Sequence, residues 1–392
     1  MSATVKASES IEEKKQGKGE IGGIRVHPKK KREVKCRRFY TTHKKASRDE
    51  QRFPSAAREA ATKANKEDEE LSVKLCELIK SSDNPRLFWL TKMLEKSITC
   101  QMRRFKIYAR TPQNVDGLTL ACSKNSSKNR FDDIPCLDSS RVVLQGYQTD
   151  YIHANYITFQ SGRYFICAQA PMESTCQDFW HMIIQEQCRV IIMLCNFNEE
   201  EQEKSYQYFP LGVGANMTIG KTSVTVKKQR TSKNGYTESW WDVRHETGSF
   251  EIRHLHCTTW PDHSVPPSAN GVIEMFKAVE GVSHALVHCS AGVGRTCTFV
   301  GSLLLLERIL TRDEPSPMSV VKEMRKYRYG AVRRSSQFIF MQYAVMEMFC
   351  QDGVMSPDEP KMCVYRAKFH KLLKSLGKKI SKEMPSEILL AN

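Results

Sequence analysis

Residues 285–300, ALVHCSAGVGRTCTFV, constrain the fold of this 392-residue chain more than any other segment. The segment begins as a short apolar strand, continues through a loop that contains Gly292 and Gly294, and ends in an apolar helical run. A tight turn between a strand and a helix N-terminus presents free backbone N–H groups, and the helix dipole favours negative charge there. No Gly-Lys-Ser/Thr follows, so this is not a Walker loop. The segment therefore predicts an anion-binding loop between a strand and a helix.

Cys289 opens this loop and Arg295 closes it, with five residues between them. If the N–H groups of those residues point inward, they form a cradle the size of a phosphate, with the sulfur beneath it and the guanidinium beside it. The same N–H dipoles would stabilise a thiolate, which makes Cys289 a candidate nucleophile. The cradle residues expected to contact the phosphate are Ser290, Ala291, Gly292, Val293 and Gly294.

Strand patterns and helix patterns alternate through the middle of the chain. Apolar or alternating runs predict strands at 142–144, 151–159, 164–168, 190–195, 221–229, 239–244 and 251–258. Helical periodicity predicts helices at 175–187, 269–280, 296–310, 316–326 and 336–349. This mixture predicts an α/β or α+β fold with a central, largely buried mixed β-sheet flanked by helices, and with the phosphate loop between a strand and a helix N-terminus.

Composition divides the chain into four parts. Residues 1–66 are rich in Lys, Ser, Ala and Glu and lack apolar periodicity, which predicts a basic arm that is disordered or partly helical. A helical lead-in is expected at 67–84. Hydrophobic sequence then runs without a linker-like break, which predicts a single domain at 85–350, followed by a basic tail at 351–392.

The formal net charge of +16 comes from the two ends of the chain, and the central domain is close to neutral. No run of about 18 apolar residues is present and the first residues are polar, so we expect a cytoplasmic protein. Pro28-Lys29-Lys30-Lys31-Arg32 is typical of a nuclear-localisation signal and equally of a solvated basic tail, and both interpretations stay open. Because the domain is near neutral and has no recognition motif, we expect no specific nucleic-acid partner.

The last segment has an amphipathic helical pattern. One stripe contains Tyr365, Phe369, Leu372, Leu373 and Leu376, and lysines cover the remaining surface. A basic amphipathic helix suits a membrane surface or an acidic partner, but the same stripe is equally suited to packing on the domain's own core. The sequence leaves these alternatives open.

The ten residues HCSAGVGRTC at 288–297 closely resemble the signature of the cysteine-dependent protein tyrosine phosphatases. The resemblance extends over residues 128–349. It implies hydrolysis of phosphotyrosine on proteins in two steps, with no metal and no cofactor. Cys289 would attack phosphorus while Arg295 holds the phosphate oxygens, and water would then release phosphate from the cysteinyl-phosphate intermediate.

The resemblance also implies roles for residues around the loop. Asp262, in the sequence WPD at 260–262, matches the general acid of the first step and the base of the second. Thr296 would ease departure of the thiolate, and His288 would orient the loop by hydrogen bonding. Gln337 matches a glutamine that positions the attacking water.

Further matches concern substrate recognition and support of the loop. Phe131 would stack on the substrate ring and set the depth of the pocket, and Asp133 would hold the substrate's backbone amides. These two residues argue against a phosphatase for lipids or phosphoserine, because such an enzyme would need a pocket with a shallower or wider mouth. The resemblance implies that Glu199 braces the loop arginine, with Lys204 and Trp260 nearby.

Arg333 departs from the family pattern, because the family usually has a water-orienting glutamine at this position. We therefore expect slower breakdown of the phosphoenzyme with thiol attack almost unaffected. The alternative function is a phosphotyrosine-binding module with weak turnover. Arg333 favours that alternative, and the intact Cys289, Arg295 and Asp262 oppose it.

Overall fold

The computed structural model describes residues 84–111, 113–311 and 313–383. The arm predicted at 1–66, its basic run at 28–32 and nearly all of the lead-in predicted at 67–84 lie outside the described residues. Within the described ranges, no helix combines the length and the apolar character needed to cross a membrane.

Nine strands of the described region form one mixed β-sheet, and two short strands pair separately. In chain order they are β1 (Arg141–Val143), β2 (Tyr151–Thr158), β3 (Tyr164–Gln169), β4 (Val190–Met193), β5 (Asn198–Glu199), β6 (Gln202–Glu203), β7 (Asn216–Ile219), β8 (Thr222–Ser232), β9 (Tyr236–His245), β10 (Gly248–Cys257) and β11 (His284–Cys289). The order across the sheet is β1-β2-β3-β11-β4-β10-β9-β8-β7, and β5 pairs with β6. The neighbours from β3 to β10 run parallel and the outer pairs run antiparallel.

Helices surround this sheet. They are α1 (Pro85–Leu94), α2 (Ile98–Arg110), α3 (Leu120–Lys124), α4 (Cys176–Gln185), α5 (Asn270–Ala278), α6 (Arg295–Leu310), α7 (Pro317–Met324), α8 (Ser335–Gln351) and α9 (Pro360–Glu383), with short 3₁₀ turns at Ser126–Lys128, Asp138–Ser140 and Glu173–Thr175. The helix starts follow ordinary capping rules. Asn84 accepts hydrogen bonds from two backbone N–H groups of α1, and Ser316 caps α7, which has a proline in its first turn.

The predicted fold class is confirmed. A mixed sheet flanked by helices holds a loop between β11 and the N-terminus of α6. The central parallel strands are buried along nearly their whole length, which explains their continuous apolar sequence. The sequence patterns predict neither helices α1 to α3 nor strands β5, β6 and β7. In α2 only Ile98 and Phe105 are buried, so its apolar stripe is too thin to be recognised in the sequence.

The apolar stripe of the last helix packs on the domain's own core. Tyr365 and Phe369 of α9 are buried, and the Phe369 ring stacks on the Tyr343 ring of α8 with centroids 4.1 Å apart. Arg366 adds an ion pair with Glu347 of α8 at 2.7 Å. The apolar face that insertion into a membrane surface would require is therefore already occupied.

Candidate active site

Strand β11 lies between β3 and β4 and runs parallel to both, so the carboxyl ends of the three strands meet at one edge of the sheet. Cys289 is the last residue of β11 and is in register with Gln169 of β3. Ligands of α/β sheets bind outside the carboxyl ends of the strands. The loop at 290–294 and the N-terminus of α6, which begins at Arg295, follow at this edge.

Gly292 allows the loop to press against β3. Its φ is +69°, and a Cβ atom added there would lie 2.2 Å from the carbonyl oxygen of Ala168. A side chain would therefore be both strained and sterically blocked at this position.

The loop carbonyl groups point away from the cradle. Arg328 donates from Nη2 to the carbonyl of Ala291 at 3.0 Å and from Nε to that of Gly292 at 3.2 Å, and the Ala170 N–H donates to the carbonyl of Ser290 at 2.9 Å. In a trans peptide the N–H points opposite to the C=O. The N–H groups of residues 291–293 therefore face away from these partners, which leaves them free to bind an anion.

Cys289 is 4% exposed at the base of this cradle. The neighbouring Ser290 and Thr296 hydroxyl oxygens are buried and have no hydrogen-bond partner within the described ranges. Buried hydroxyl groups normally have a hydrogen-bond partner. Two unpaired hydroxyl groups beside a candidate nucleophile therefore indicate hydrogen bonding to a substrate or to the thiolate.

His288 precedes the nucleophile and is fully buried. Its Nε2 is 2.8 Å from the Tyr208 hydroxyl, and burial lowers the pKa of His288 to about 3. The imidazole is therefore neutral at neutral pH, which supports a positioning role and opposes general acid catalysis by this residue.

Arg295 is 2% exposed and is held by several acceptors. Its Nη1 donates to the Leu194 carbonyl at 2.9 Å and to Oε1 of Glu199 at 2.7 Å, while Nη2 pairs with the other oxygen of Glu199. This two-bond arrangement fixes the plane of the guanidinium. Glu199 thus lies where the sequence predicts a carboxylate that braces the loop arginine.

The candidate general acid, Asp262, also contacts Arg295. Its Oδ1 is 2.7 Å from Nη2 of Arg295, and its Oδ2 is 2.9 Å from Nζ of Lys204. Burial alone would raise the pKa of Asp262, but the two cations outweigh burial and hold that pKa well below its usual range. Asp262 is therefore a carboxylate that pairs with the arginine expected to bind phosphate. The segment is anchored by Trp260, which is buried and donates from Nε1 to the Ser264 carbonyl at 3.1 Å.

The lowered pKa of Asp262 has a consequence for folding. The stability that it contributes is fully present above its unfolded-state pKa of about 4 and is lost as pH falls toward its lower folded-state pKa. We expect the free energy of unfolding of the parent, relative to the Asp262→Asn variant, to decrease between pH 5 and pH 3, since the Asn variant has no proton to gain there. Urea unfolding of both proteins between pH 5 and pH 3 measures this difference in the free energy of unfolding. A difference that stays constant or grows as pH falls would contradict the ion pairing.

Residues 128–133 carry Phe131 and Asp133, the candidates for substrate recognition, and are called the recognition segment below. Two cations of this segment, Lys128 and Arg130, hold it to its neighbours. Lys128 Nζ is 2.6 Å from Oδ2 of Asp178, and Arg130 donates from Nη2 to the Pro171 carbonyl at 2.7 Å. Phe131, which follows Arg130, is 37% exposed, so its ring is accessible for stacking on an aromatic group.

Gln337 and Arg333 occupy different parts of the site. The Gln337 Oε1 accepts from the backbone N–H groups of Arg333 at 3.2 Å and Arg334 at 3.1 Å, so this buried side chain caps α8. Its Nε2 lies 3.0 Å from where a Cβ of Gly294 would be, against the phosphate loop. The Arg333 side chain instead pairs with Asp133 of the recognition segment. Of these two side chains, that of Gln337 therefore lies against the phosphate loop and that of Arg333 reaches Asp133.

Sequence reasoning missed two arginines that support the site. Arg328 holds the outer side of the phosphate loop, and Arg325 donates to the carbonyls of Ala331 at 3.0 Å and Val332 at 3.1 Å. Both lie in the basic and aromatic run EMRKYRY, where nothing in the sequence distinguishes a buried arginine from a solvated one.

The chain matches the family model for protein-tyrosine phosphatase over residues 125–347, which is more than half of its length. The chain belongs to this family. The match includes the loop that follows Cys289 and the segments that carry Asp262 and Gln337.

Individual relatives agree with this assignment. The chain is similar to tyrosine-protein phosphatase non-receptor type 20 of Mus musculus, with 34% identity over 57% of this chain and 54% of the relative. It is similar to tyrosine-protein phosphatase 69D of Drosophila melanogaster, with 32% identity over 67% of this chain and 20% of the relative. A solved structure of PTPN18 in complex with HER2 phosphopeptides is 27% identical, with a TM-score of 0.59, and the match covers 65% of this chain and 93% of that one. The chain thus spans about half or less of the length of these two curated relatives.

Proposed function

We propose that this chain is a protein tyrosine phosphatase that hydrolyses phosphotyrosine on proteins through a cysteinyl-phosphate intermediate. One observation supports this most: Arg295, at the end of the loop that Cys289 opens, contacts both the Glu199 brace and the candidate acid Asp262. A candidate nucleophile, a fixed arginine and a carboxyl group that can exchange a proton thus lie around one anion cradle. These are the groups that displacement at phosphorus requires.

In the first step, the phosphate displaces the Asp262 carboxylate from Arg295. The phosphate oxygens then bind Arg295 and the free N–H groups of the loop, and the Cys289 sulfur attacks phosphorus in line with the departing phenolate. The negative charge that enters the pocket raises the pKa of Asp262, which allows this carboxyl group to be protonated and to donate its proton to the leaving oxygen.

In the second step, water attacks the phosphorus of the cysteinyl-phosphate. Asp262, now a carboxylate, removes a proton from the water, and Gln337 positions that water through its amide beside the loop. The sulfur leaves as a thiolate, which the unpaired hydroxyl of Thr296 stabilises by donating a hydrogen bond. Phosphate then departs.

Phosphotyrosine is the substrate that the mouth of the pocket favours. Phe131 presents an exposed aromatic face, and a tyrosine ring is long enough to carry its phosphate past that face to a buried Cys289. The related PTPN18, in complex with HER2 phosphopeptides, supports phosphotyrosine-containing proteins as the substrate class for this chain.

Phosphate release from matched peptides tests the proposed function. We expect the full chain to release phosphate from a phosphotyrosine peptide with a kcat/KM at least about 10²-fold above that for the same peptide with phosphoserine, because the shorter side chain cannot reach the buried sulfur. Tight phosphotyrosine binding without release would instead support the alternative, a binding module with weak turnover.

Two further proposals concern the location of the chain and its partners. We propose cytoplasmic residence, and we propose that exposed lysines of α9, including Lys361, Lys368 and Lys371, contact an acidic protein partner. Imaging of a fluorescent fusion tests the first proposal, and exclusive nuclear signal would contradict it. Pull-down with the Lys368→Glu and Lys371→Glu variants tests the second, since unchanged capture of every partner would contradict it.

A further inference from the structure

Two loops meet at the rim of the pocket through one ion pair. Arg333, which lies between α7 and α8, pairs through Nη2 with Oδ2 of Asp133 on the recognition segment. The side chains are 43% and 63% exposed, respectively. An ion pair this exposed contributes little to stability, so its two members are free to exchange partners when a substrate arrives.

The backbone beneath Arg333 is fixed to the phosphate loop. Val332 has a φ of +60°, which is rarely adopted by a β-branched residue, and its N–H donates to the carbonyl of Val293 at 3.0 Å. Arg325 binds the Val332 carbonyl from the other side. A strained conformation persists only where its surroundings impose it, and here the contacts hold Arg333 at the edge of the phosphate loop.

The charges at the rim are separated into two sides. Asp132 and Asp133 are exposed on the recognition segment, and Arg333 and Arg334 are exposed on the facing loop. Arg334 reaches toward His263, with Nη2 3.4 Å from Nδ1, whereas Arg333 reaches toward Asp133. A guanidinium carries five N–H donors, so the pair with Asp133 leaves Arg333 with donors to spare.

We propose that Arg333 makes this enzyme select substrates with an Asp or Glu beside the phosphotyrosine. The proposal rests on the proposed phosphatase function and names its substrate class. The acidic side chain of the substrate binds Arg333, and the freed Asp133 carboxylate accepts hydrogen bonds from the substrate's backbone N–H groups. Because the acidic and basic sides of the rim face each other, the preference applies to one flank of the phosphotyrosine and not to both.

Three phosphotyrosine peptides test this proposal. They carry alanine on both flanks, aspartate before the phosphotyrosine, or aspartate after it. We expect the kcat/KM of the full chain to be about fivefold higher for one aspartate peptide than for the alanine peptide, which is the upper end for an exposed ion pair. In the Arg333→Gln variant this ratio should fall to about one. The Arg334→Gln variant removes the same positive charge from the next residue along the chain, and it should keep the ratio of the parent.

Each contrary result has a distinct meaning. If the parent hydrolyses all three peptides equally, or if Arg333→Gln keeps the ratio, the selection by Arg333 is wrong while the phosphatase function stands. If Arg334→Gln abolishes the ratio as fully as Arg333→Gln does, the preference comes from overall charge and the assignment to Arg333 is overturned. If the parent hydrolyses none of the peptides, the proposed function itself fails.

Discussion

Replacing Cys289 by serine should lower kcat on a phosphotyrosine peptide by about 10⁴-fold or more, the size of effect seen when a covalent nucleophile is removed. The reason is chemical. A serine hydroxyl has no adjacent base here, because the neighbouring His288 is buried, neutral and bound to Tyr208. The cradle and Arg295 stay in place, so the Cys289→Ser variant should still bind the peptide.

Phosphate release and peptide binding by calorimetry measure the two effects separately. The matched control is Cys100→Ser, which changes an exposed cysteine of α2 and should leave both unchanged. Substantial turnover by Cys289→Ser would contradict the role of this sulfur.

Replacing Asp262 by alanine should lower kcat by about 10² to 10⁴, the usual contribution of a general acid. Because Asp262 pairs with Arg295, its removal leaves the arginine without this competitor for phosphate. Affinity for a phosphotyrosine peptide should therefore be kept or increased, and the Asp262→Ala variant should retain bound substrate.

Steady-state rates on the peptide, together with its dissociation constant, test the role of Asp262. Asp116→Ala serves as the control, since Asp116 is an exposed carboxylate outside the site. A weaker affinity combined with an almost unchanged kcat would assign Asp262 to substrate binding and not to proton transfer.

The central chemistry could be predicted because its residues are close in sequence. Cys289, the loop glycines and Arg295 fall within seven consecutive positions, and strand, turn and helix signals surround them. Local spacing is therefore sufficient to indicate an anion cradle. The partners of Arg295 are distant along the chain, and only the resemblance to a family indicated Glu199 and Asp262.

The contacts that support the loop could not be predicted in the same way. Arg328 is fully buried because α7, β2 and the phosphate loop enclose it, with its Nη1 2.7 Å from Oδ1 of Asn155. Sequence periodicity carries no information on such enclosure. The pairing of Arg333 with Asp133 joins residues 200 positions apart and depends on the strained backbone at Val332.

The C-terminal helix shows the same limit. Its amphipathic pattern was clear, but the pattern cannot say what covers the apolar stripe. Tertiary packing decides that question here, because Tyr343 of α8 offers an aromatic surface to Phe369.

Chemical trapping of the cysteinyl-phosphate intermediate tests the proposed mechanism. The full chain is mixed with a phosphotyrosine peptide labelled at phosphorus, quenched in acid within milliseconds, digested and mapped. We predict label on the peptide that contains Cys289 and none there in the Cys289→Ser variant. Turnover without label at Cys289, or label on another residue, would contradict this account of the reaction.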